Sequence, residues 1–328
     1  MWPPARWPPS PPRRSGTEPV FDSPLSASAY DVLEVAPDVD EEELRRAYRL
    51  RLRQTHPDTG GDAVQFVQVQ RAWELVGTPT ARAAYDRGHG FGETPVSFAP
   101  TGPAWRPPAR PADTRPKARS HGQPGGWRRE RYLTLIREWA GRGVALADPY
   151  DPALVRTAPH EIKRLLADAL AEEATARIVA DLGMGYTVWH DVEARDRGPE
   201  AKLDHIVLGP SGLYAILSED FGGPVRTRRG EVIGEAVPGA PVATLAAGAR
   251  ALGRAARVRF SGAIVVLPDD DVSVAIDEIG RVKSLPVAVV SRAALATVLR
   301  RGVTGAREIG GNELFDVRTR LQQTVRFV

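Results

Sequence analysis

The sequence predicts a chain of class α + α/β: a small helical block, then a linker, then a larger α/β region built on a mixed sheet. Three observations carry this. The 328 residues include 29 prolines and 31 glycines, too many for one compact fold, and these crowd into residues 1–26 and 89–126. Apolar residues recur at helical spacing through 27–88. From 127 to 328, helical patterns alternate with short apolar runs of β character. Residues 1–26 are therefore expected to be a disordered, partly polyproline II tail, and 89–126 a Pro/Gly/Arg linker.

Composition excludes several chemistries. There is no cysteine, hence no disulfide, thiolate metal site or cysteine nucleophile. No apolar run approaches the ~20 residues needed to cross a bilayer. The opening MWPPARWPPSPPRR lacks the apolar core of a signal peptide, so no membrane contact and a cytoplasmic location are expected. The net charge of +3 is unevenly spread: residues 89–131 hold eight basic and three acidic groups, whereas 132–328 hold 25 of each. The excess base thus lies in the linker, which argues against a large basic docking surface on the C-terminal region.

In the helical block, Asp40 with Glu43 three residues on forms a D-x-x-E helix start. Leu44, Ala47, Tyr48 and Thr55 then share one face, while Arg46, Arg49 and Arg53, with Arg45 at the edge, share the opposite one. No acidic residue follows at i+4 to pair with these arginines. Pro57 disfavours helical geometry at His56 and ends the helix. Asp58-Thr59-Gly60-Gly61 is a turn, and a further helix runs from Ala63 to about Val76, with Phe66, Val69, Ala72, Trp73 and Leu75 facing back. The two helices form an antiparallel hairpin with His56-Pro57-Asp58 exposed at its tip, and PTARAAYDRG supplies Ala83 and Tyr85 as a lid. A nucleophilic site would need a partner within hydrogen-bond reach of His56, and none is adjacent. Two ligands are too few for a metal. A plain helix stop explains Pro57 but not the cationic stripe.

The block YDVLEVAPDVDEEELRRAYRLRLRQTHPDTGGDAVQFVQVQRAWELVGTPTARAAYDRG resembles the J-domain of the DnaJ family over residues 28–88, through Tyr30, Leu33, Ala47-Tyr48, His56-Pro57-Asp58 and Arg82-Ala83-Ala84-Tyr85-Asp86. The resemblance implies docking on a DnaK-type chaperone, the seventy-kilodalton heat-shock ATPase, and stimulation of its ATP hydrolysis. It makes His56, Pro57 and Asp58 the coupling residues and sets Arg45, Arg46, Arg49 and Arg53 against an acidic chaperone surface. Two positions depart from the family pattern: Glu34 stands for a glycine, and Arg51 for an inward leucine whose place its stem is expected to cover. The chain lacks the cysteines of the family's zinc module and has no Gly/Phe-rich segment, so client specificity is expected from the C-terminal region.

That region opens with the amphipathic helix WRRERYLTLIREWAGRG, with Trp127, Leu135, Ile136 and Trp139 available for packing. A longer helix runs from Pro159 to about Leu182. β-like runs follow in YTVWHDVE, KLDHIVLGPSGLYAIL, PVRTRRG and EVIGEA. Next come a small-residue helix over 241–256, strands GAIVVLP and LPVAVV, and helices in SRAALATVLRRG and NELFDVRTRLQQTV. In KLDHIVLGPSGLYAILSED, pairing Gly209 with Gly212 sets Asp204 opposite Leu217 and Lys202 opposite Glu219. Period-two alternation puts all four on one face and His205 on the other. His190 and His160 have no clustered partners in sequence.

With Glu172–Glu173 on the preceding helix, this segment resembles the nuclease-related domain of the restriction-endonuclease-like PD-(D/E)xK group, over roughly residues 170–300. Asp204 and Glu173 (or Glu172) match carboxylate positions of that family. Leu217 stands where the metal-binding glutamate belongs, and Glu219 where the lysine belongs. Phosphodiester hydrolysis by such a site needs carboxylates converging on a divalent ion and a cation near the attacking water. Two readings follow. In one, Lys202 and Glu219 form a cross-strand ion pair on a degenerate site, and the domain binds or targets without metal, cofactor or catalysis. In the other, Asp204, Glu219 and Lys202 make a rearranged metal-dependent nuclease or nucleic-acid site.

Overall fold

The computed structural model describes residues 23–25, 28–89, 116–141, 143, 146, 148–194 and 202–328. The expected tail, all but 23–25, and residues 90–115 of the expected linker lie outside these.

The N-terminal block is four helices. α1 (Ala29–Val32) is capped by Ser28, whose Oγ accepts from the Asp31 N–H at 3.1 Å while the Asp31 carboxylate accepts from the Ser28 N–H at 2.9 Å. α2 (Glu41–Thr55) starts as its sequence predicts, with Asp40 Oδ1 accepting from the Glu43 N–H at 2.8 Å. α3 (Ala63–Val76) lies against it, and Tyr48 stacks on Trp73 with ring centres 4.4 Å apart. Leu44, Val69, Ala72 and Val76 are buried between the two. α4 (Pro79–His89) closes the block. Tyr85 is buried and accepts from the Ala29 N–H at 2.8 Å, as a lid should. Ala83, however, is exposed. The second latch is Arg82, whose Nη2 donates to the Pro37 and Val39 carbonyls at 2.9 and 2.6 Å and whose Nε donates to the Tyr30 hydroxyl at 3.1 Å.

The C-terminal domain begins earlier than residue 127. Arg119–His121 form β1, so 116–126 belong to the folded domain and not to the linker. α5 (Gly126–Ala140), α6 (Pro152–Thr157) and α7 (His160–Ala180) follow, with Pro159 as the residue before α7 rather than inside its first turn. β2 (Thr187–Glu193), β3 (Lys202–Gly209) and β4 (Gly212–Ser218) form an antiparallel meander. β5 (Arg226–Arg228) and β6 (Glu231–Ile233) make a separate hairpin. α8 (Pro241–Ala256), β7 (Gly262–Leu267), β8 (Ile276–Val282), β9 (Leu285–Ser291), α9 (Leu295–Arg301) and α10 (Asn312–Thr324) complete the chain. The seven-stranded mixed sheet has order β1-β2-β3-β4-β7-β9-β8.

Both faces of the sheet are covered, which is why β7 and β9 are unbroken apolar runs. One side packs Leu203, Ile206, Leu213 and Val265 with Val242, Leu245 and Ala249 of α8. The other packs Val207, Tyr214 and Ile264 with Val179 of α7 and Val298 of α9. A third cluster joins α5 to α7 through Tyr132, Ile136, Ile162 and Leu166, while Trp139, expected to pack, is 40% exposed. The two unpredicted strands sit at the sheet edges. There, β1 is three polar residues and β8 is mostly solvent-facing, so neither carries an apolar pattern to read.

Candidate functional sites: a helical-hairpin tip and a buried charge cluster

At the hairpin tip the backbone leaves the helix at His56, with ψ of 127°, and Pro57–Thr59 make one 3₁₀ turn. The Asp58 N–H donates to His56 Nδ1 at 3.2 Å, and the Gly61 N–H to the His56 carbonyl at 3.0 Å. The His56 ring stands edge-on to Phe66 at 4.9 Å. Gly61 is required by contact, since a Cβ there would lie 2.2 Å from the Thr55 carbonyl carbon. These contacts hold the imidazole while leaving the Asp58 side chain 89% exposed. Arg45, Arg46, Arg49 and Arg53 are all exposed along α2. The stripe is not wholly without acidic partners: Glu41, one turn before Arg45 rather than after it, pairs with it at 2.5 Å. The tip is thus a rigid backbone turn presenting a carboxylate beside a row of guanidinium groups.

The second site lies where α5 and α7 meet β2–β4. Lys202 Nζ lies 2.7 Å from Glu172, 2.5 Å from Asp191 and 2.8 Å from Asp204. The Arg128 guanidinium contacts Asp168, and lies 2.7 Å from Glu172 Oε1, 2.6 Å from Glu219 Oε1 and 4.0 Å from Asp204 Oδ1. Arg164 approaches Glu219 at 3.6 Å. The amino end of α5 adds backbone donors, Gly125 N–H to Glu172 at 3.1 Å and Trp127 N–H to Asp191 at 3.3 Å. All five carboxylates are buried.

Five acids against Lys202, Arg128 and Arg164 leave a formal charge of −2 in a dry space, and the titration shifts follow from that. Burial, then repulsion from Glu219, raises Asp168 well above the carboxylate range. Burial, then Asp204, does the same to Glu172. Burial would raise Asp204 too, but Lys202 and Arg128 outweigh it and hold Asp204 below its ordinary value. The cations thus favour the charged form at Asp204, which Lys202 clasps, while burial and mutual repulsion disfavour it at Asp168 and Glu172 on α7.

The structure brings together Lys202, Asp204 and Glu219 and corrects four expectations. The α7 carboxylate in the cluster is Glu172. Glu173 points away and pairs with Arg129, whose Nε donates at 2.8 Å. Lys202 and Glu219 do not pair across the strands, because Arg128 takes Glu219. Leu217 does not share the face of Asp204 but packs toward the α8 side. Beside Asp204 stands Ser218, whose N–H donates to Asp204 Oδ2 at 2.8 Å and whose hydroxyl donates to Thr175 at 2.9 Å. The cause is a slip in alternation. Leu203 and Ile206, three apart on β3, enter the same core, as do Trp189 and Val192 on β2, where the intervening Asp191 has φ of 49°. Finally, His190 has a partner: its Nδ1 lies 2.7 Å from His205 Nδ1, with Ser120 Oγ 2.9 Å from its Nε2. Burial depresses both rings, His190 to about 4 and His205 well below its usual value, with His190 adding to the effect.

Sequence reasoning missed Asp168, Asp191 and Arg128. Asp168 was findable, one turn before Glu172 on the same helix face. Nothing local marks Arg128, which reaches the cluster only through the packing of α5 on α7. Divalent-ion chemistry does not fit the side chains as they stand, since Lys202 and Arg128 already occupy the space on which the five carboxylates converge. Among the described residues no group of three His, Asp or Glu side chains is disposed to hold a metal.

Charge totals also misled. Asp168, Glu172, Asp191, Asp204, Glu219 and Asp220 are buried, against two cations enclosed with them, the Lys202 and Arg128 side chains, 4 and 15% exposed. The surface of the domain is therefore more basic than its even count. Residues 236–268 contain four arginines and no acid, and all four, Arg250, Arg254, Arg257 and Arg259, are exposed along α8 and the turn after it.

Comparison with known proteins agrees with this division. The DnaJ domain family model matches residues 28–86, and the nuclease-related domain model matches 167–265. Chaperone protein DnaJ of Thermosynechococcus vestitus is 45% identical over 76 residues, 22% of this chain and 20% of that protein. That of Trichormus variabilis is 42% identical over 81 residues, 24% and 21% of the two chains. Chaperone protein DnaJ 1 of Cutibacterium acnes is 36% identical over 84 residues, 23% and 21%. A solution structure of the J-domain of a mouse DnaJ-like protein aligns at 20% identity over 27% of this chain and 99% of its own, with a TM-score of 0.19. The chain spans about a fifth of the length of the curated relatives it matches. It carries a DnaJ domain followed by a nuclease-related domain. Among the described residues no helix is long and apolar enough to cross a membrane.

Proposed function

We propose that this protein is a cytoplasmic J-domain co-chaperone that docks on a DnaK-type ATPase, stimulates its ATP hydrolysis, and uses its nuclease-related domain to choose where that happens. The observation that carries the reading is the hairpin tip: Asp58 held out by a locked His56-Pro57 turn beside exposed Arg45, Arg46, Arg49 and Arg53. Exposed opposite charges favour encounter rate and orientation more than affinity. A turn already fixed by Pro57 lowers the ordering cost of docking. The test is single-turnover ATP hydrolysis by a DnaK-type chaperone with the full chain. Stimulation that survives both His56→Gln and Asp58→Asn sinks the reading.

For the C-terminal domain the engaged carboxylates support binding over catalysis, and the exposed α8 arginines support a polyanionic target, nucleic acid foremost. The nuclease reading retains one supporting observation, the convergence of Lys202, Glu172 and Asp204 within 2.8 Å. Mg²⁺- or Mn²⁺-dependent DNA cleavage that disappears in Asp204→Ala would establish it in place of the binding reading.

A further inference from the structure

Arg128 stands in the first turn of α5 and, among the described residues, is the one side chain that reaches Asp168, Glu172 and Glu219 and approaches Asp204. Its side chain is 15% exposed, and those four carboxylates are 1, 0, 8 and 1% exposed. The Gly125 and Trp127 N–H groups come in with it. Two oxygens stay unsatisfied: Asp168 Oδ1 and Glu219 Oε2 are buried without a hydrogen-bond partner, Arg164 Nη2 coming no nearer than 3.6 Å to the second. Converging carboxylate oxygens around a central positive charge are the donor set of a hard divalent cation. Here a planar guanidinium with several donors occupies that centre and bridges three carboxylates at once.

We propose that Arg128 is a built-in counter-cation that stands in for a divalent ion, and that the amino end of α5 is the stopper of a latent cation site. Tethered to the chain, the guanidinium competes with a free ion at high effective concentration. The domain therefore ignores divalent ions until Arg128 is removed. This deepens the non-cleaving reading above and explains it without appeal to Leu217 alone.

The test uses the full chain as wild type, Arg128→Met and Arg128→Lys, with Mn²⁺ binding followed by electron paramagnetic resonance and unfolding followed by circular dichroism with and without MnCl₂. Wild type should show no saturable Mn²⁺ binding in the micromolar range and an unchanged melting temperature. Arg128→Met should melt lower, recover with Mn²⁺, and bind Mn²⁺ roughly tenfold or more tightly than wild type. Arg128→Lys, which keeps the charge, should respond less than Arg128→Met. Saturable micromolar Mn²⁺ binding by wild type overturns the proposal and needs no variant to fold. So does an Arg128→Met protein that gains no Mn²⁺ affinity, or that Mn²⁺ fails to restore. Wild-type Mn²⁺ binding without DNA cleavage would defeat the counter-cation while leaving the non-cleaving reading intact; cleavage would defeat that reading itself.

Discussion

Glu34 and Arg51, the two positions where the J-domain departs from its family pattern, are salt-bridged to each other at 3.0 Å. Glu34 holds φ of 56°, a conformation suited to glycine. Arg51 lies over the α1–α2 corner, 22% exposed, with Nε donating to the Val32 carbonyl at 3.4 Å. The arginine turns its head to the end of α1, where the glutamate supplies the charge that it meets.

Because Glu34 is 64% exposed, the pair should contribute little, on the order of 0.2–1 kcal/mol. Glu34→Gly removes left-handed strain of about 1 kcal/mol and loses that pair, so a net gain of up to ~1 kcal/mol is expected. A double-mutant cycle with Arg51→Leu, read by denaturant unfolding of the J-domain transition, should give a coupling below about 1 kcal/mol.

Gly61→Ala should do what neither His56→Gln nor Asp58→Asn does, namely deform the tip itself. Its new Cβ meets the Thr55 backbone at 2.2 Å, so the loop must open. Loss of ATPase stimulation is expected together with destabilisation of roughly 1–3 kcal/mol. His56→Gln and Asp58→Asn should lose stimulation with melting temperature unchanged.

Arg46→Glu with Arg49→Glu should slow association with the chaperone by roughly 10-fold or more at low salt and flatten the salt dependence of the on-rate. Stopped-flow binding at several ionic strengths checks this. An effect confined to the off-rate would place these side chains outside the encounter surface.

Lys202→Met leaves the buried carboxylates short of a cation and should destabilise the C-terminal domain by about 3–5 kcal/mol. Glu173→Ala, outside the cluster with a half-solvated partner, should cost no more than about 1 kcal/mol. Equal effects on the unfolding transition would return Glu173 to the site.

Acid should loosen the same domain through His190 and His205. Both pKa values are lower folded than unfolded, so below about 6.5 the unfolded chain binds protons that the folded one refuses, for His190 down to about 4. Stability from the neutral rings is full above 6.5 and declines as pH falls, by on the order of 3 kcal/mol for His190 at pH 4. Asp168 and Glu172, raised rather than lowered, act oppositely and gain stability as pH falls through their folded values. Chemical unfolding between pH 7 and 4 should therefore show less loss of stability with falling pH in His205→Asn than in wild type.

Local chemistry alone determined much of this protein. The Asp40 helix start, the Pro57 stop, the burial of Leu44 and Thr55, and the Gly209–Gly212 register depend on neighbours within a few residues, and each appears as its sequence predicts. The edge strands escaped because a half-solvated strand needs no apolar rhythm. Tertiary structure decided the charge cluster. Choosing Glu172 over Glu173 requires knowing how α7 is turned, and excluding Leu217 requires the slip in alternation between Leu203 and Ile206 on β3. Placing Arg128 requires the docking of α5 on α7 and against the residue after β4, contacts that lie 40 and 91 residues apart in the chain. A buried ion network is set by distance in space and by exclusion of water, and neither quantity is carried by residues adjacent in sequence.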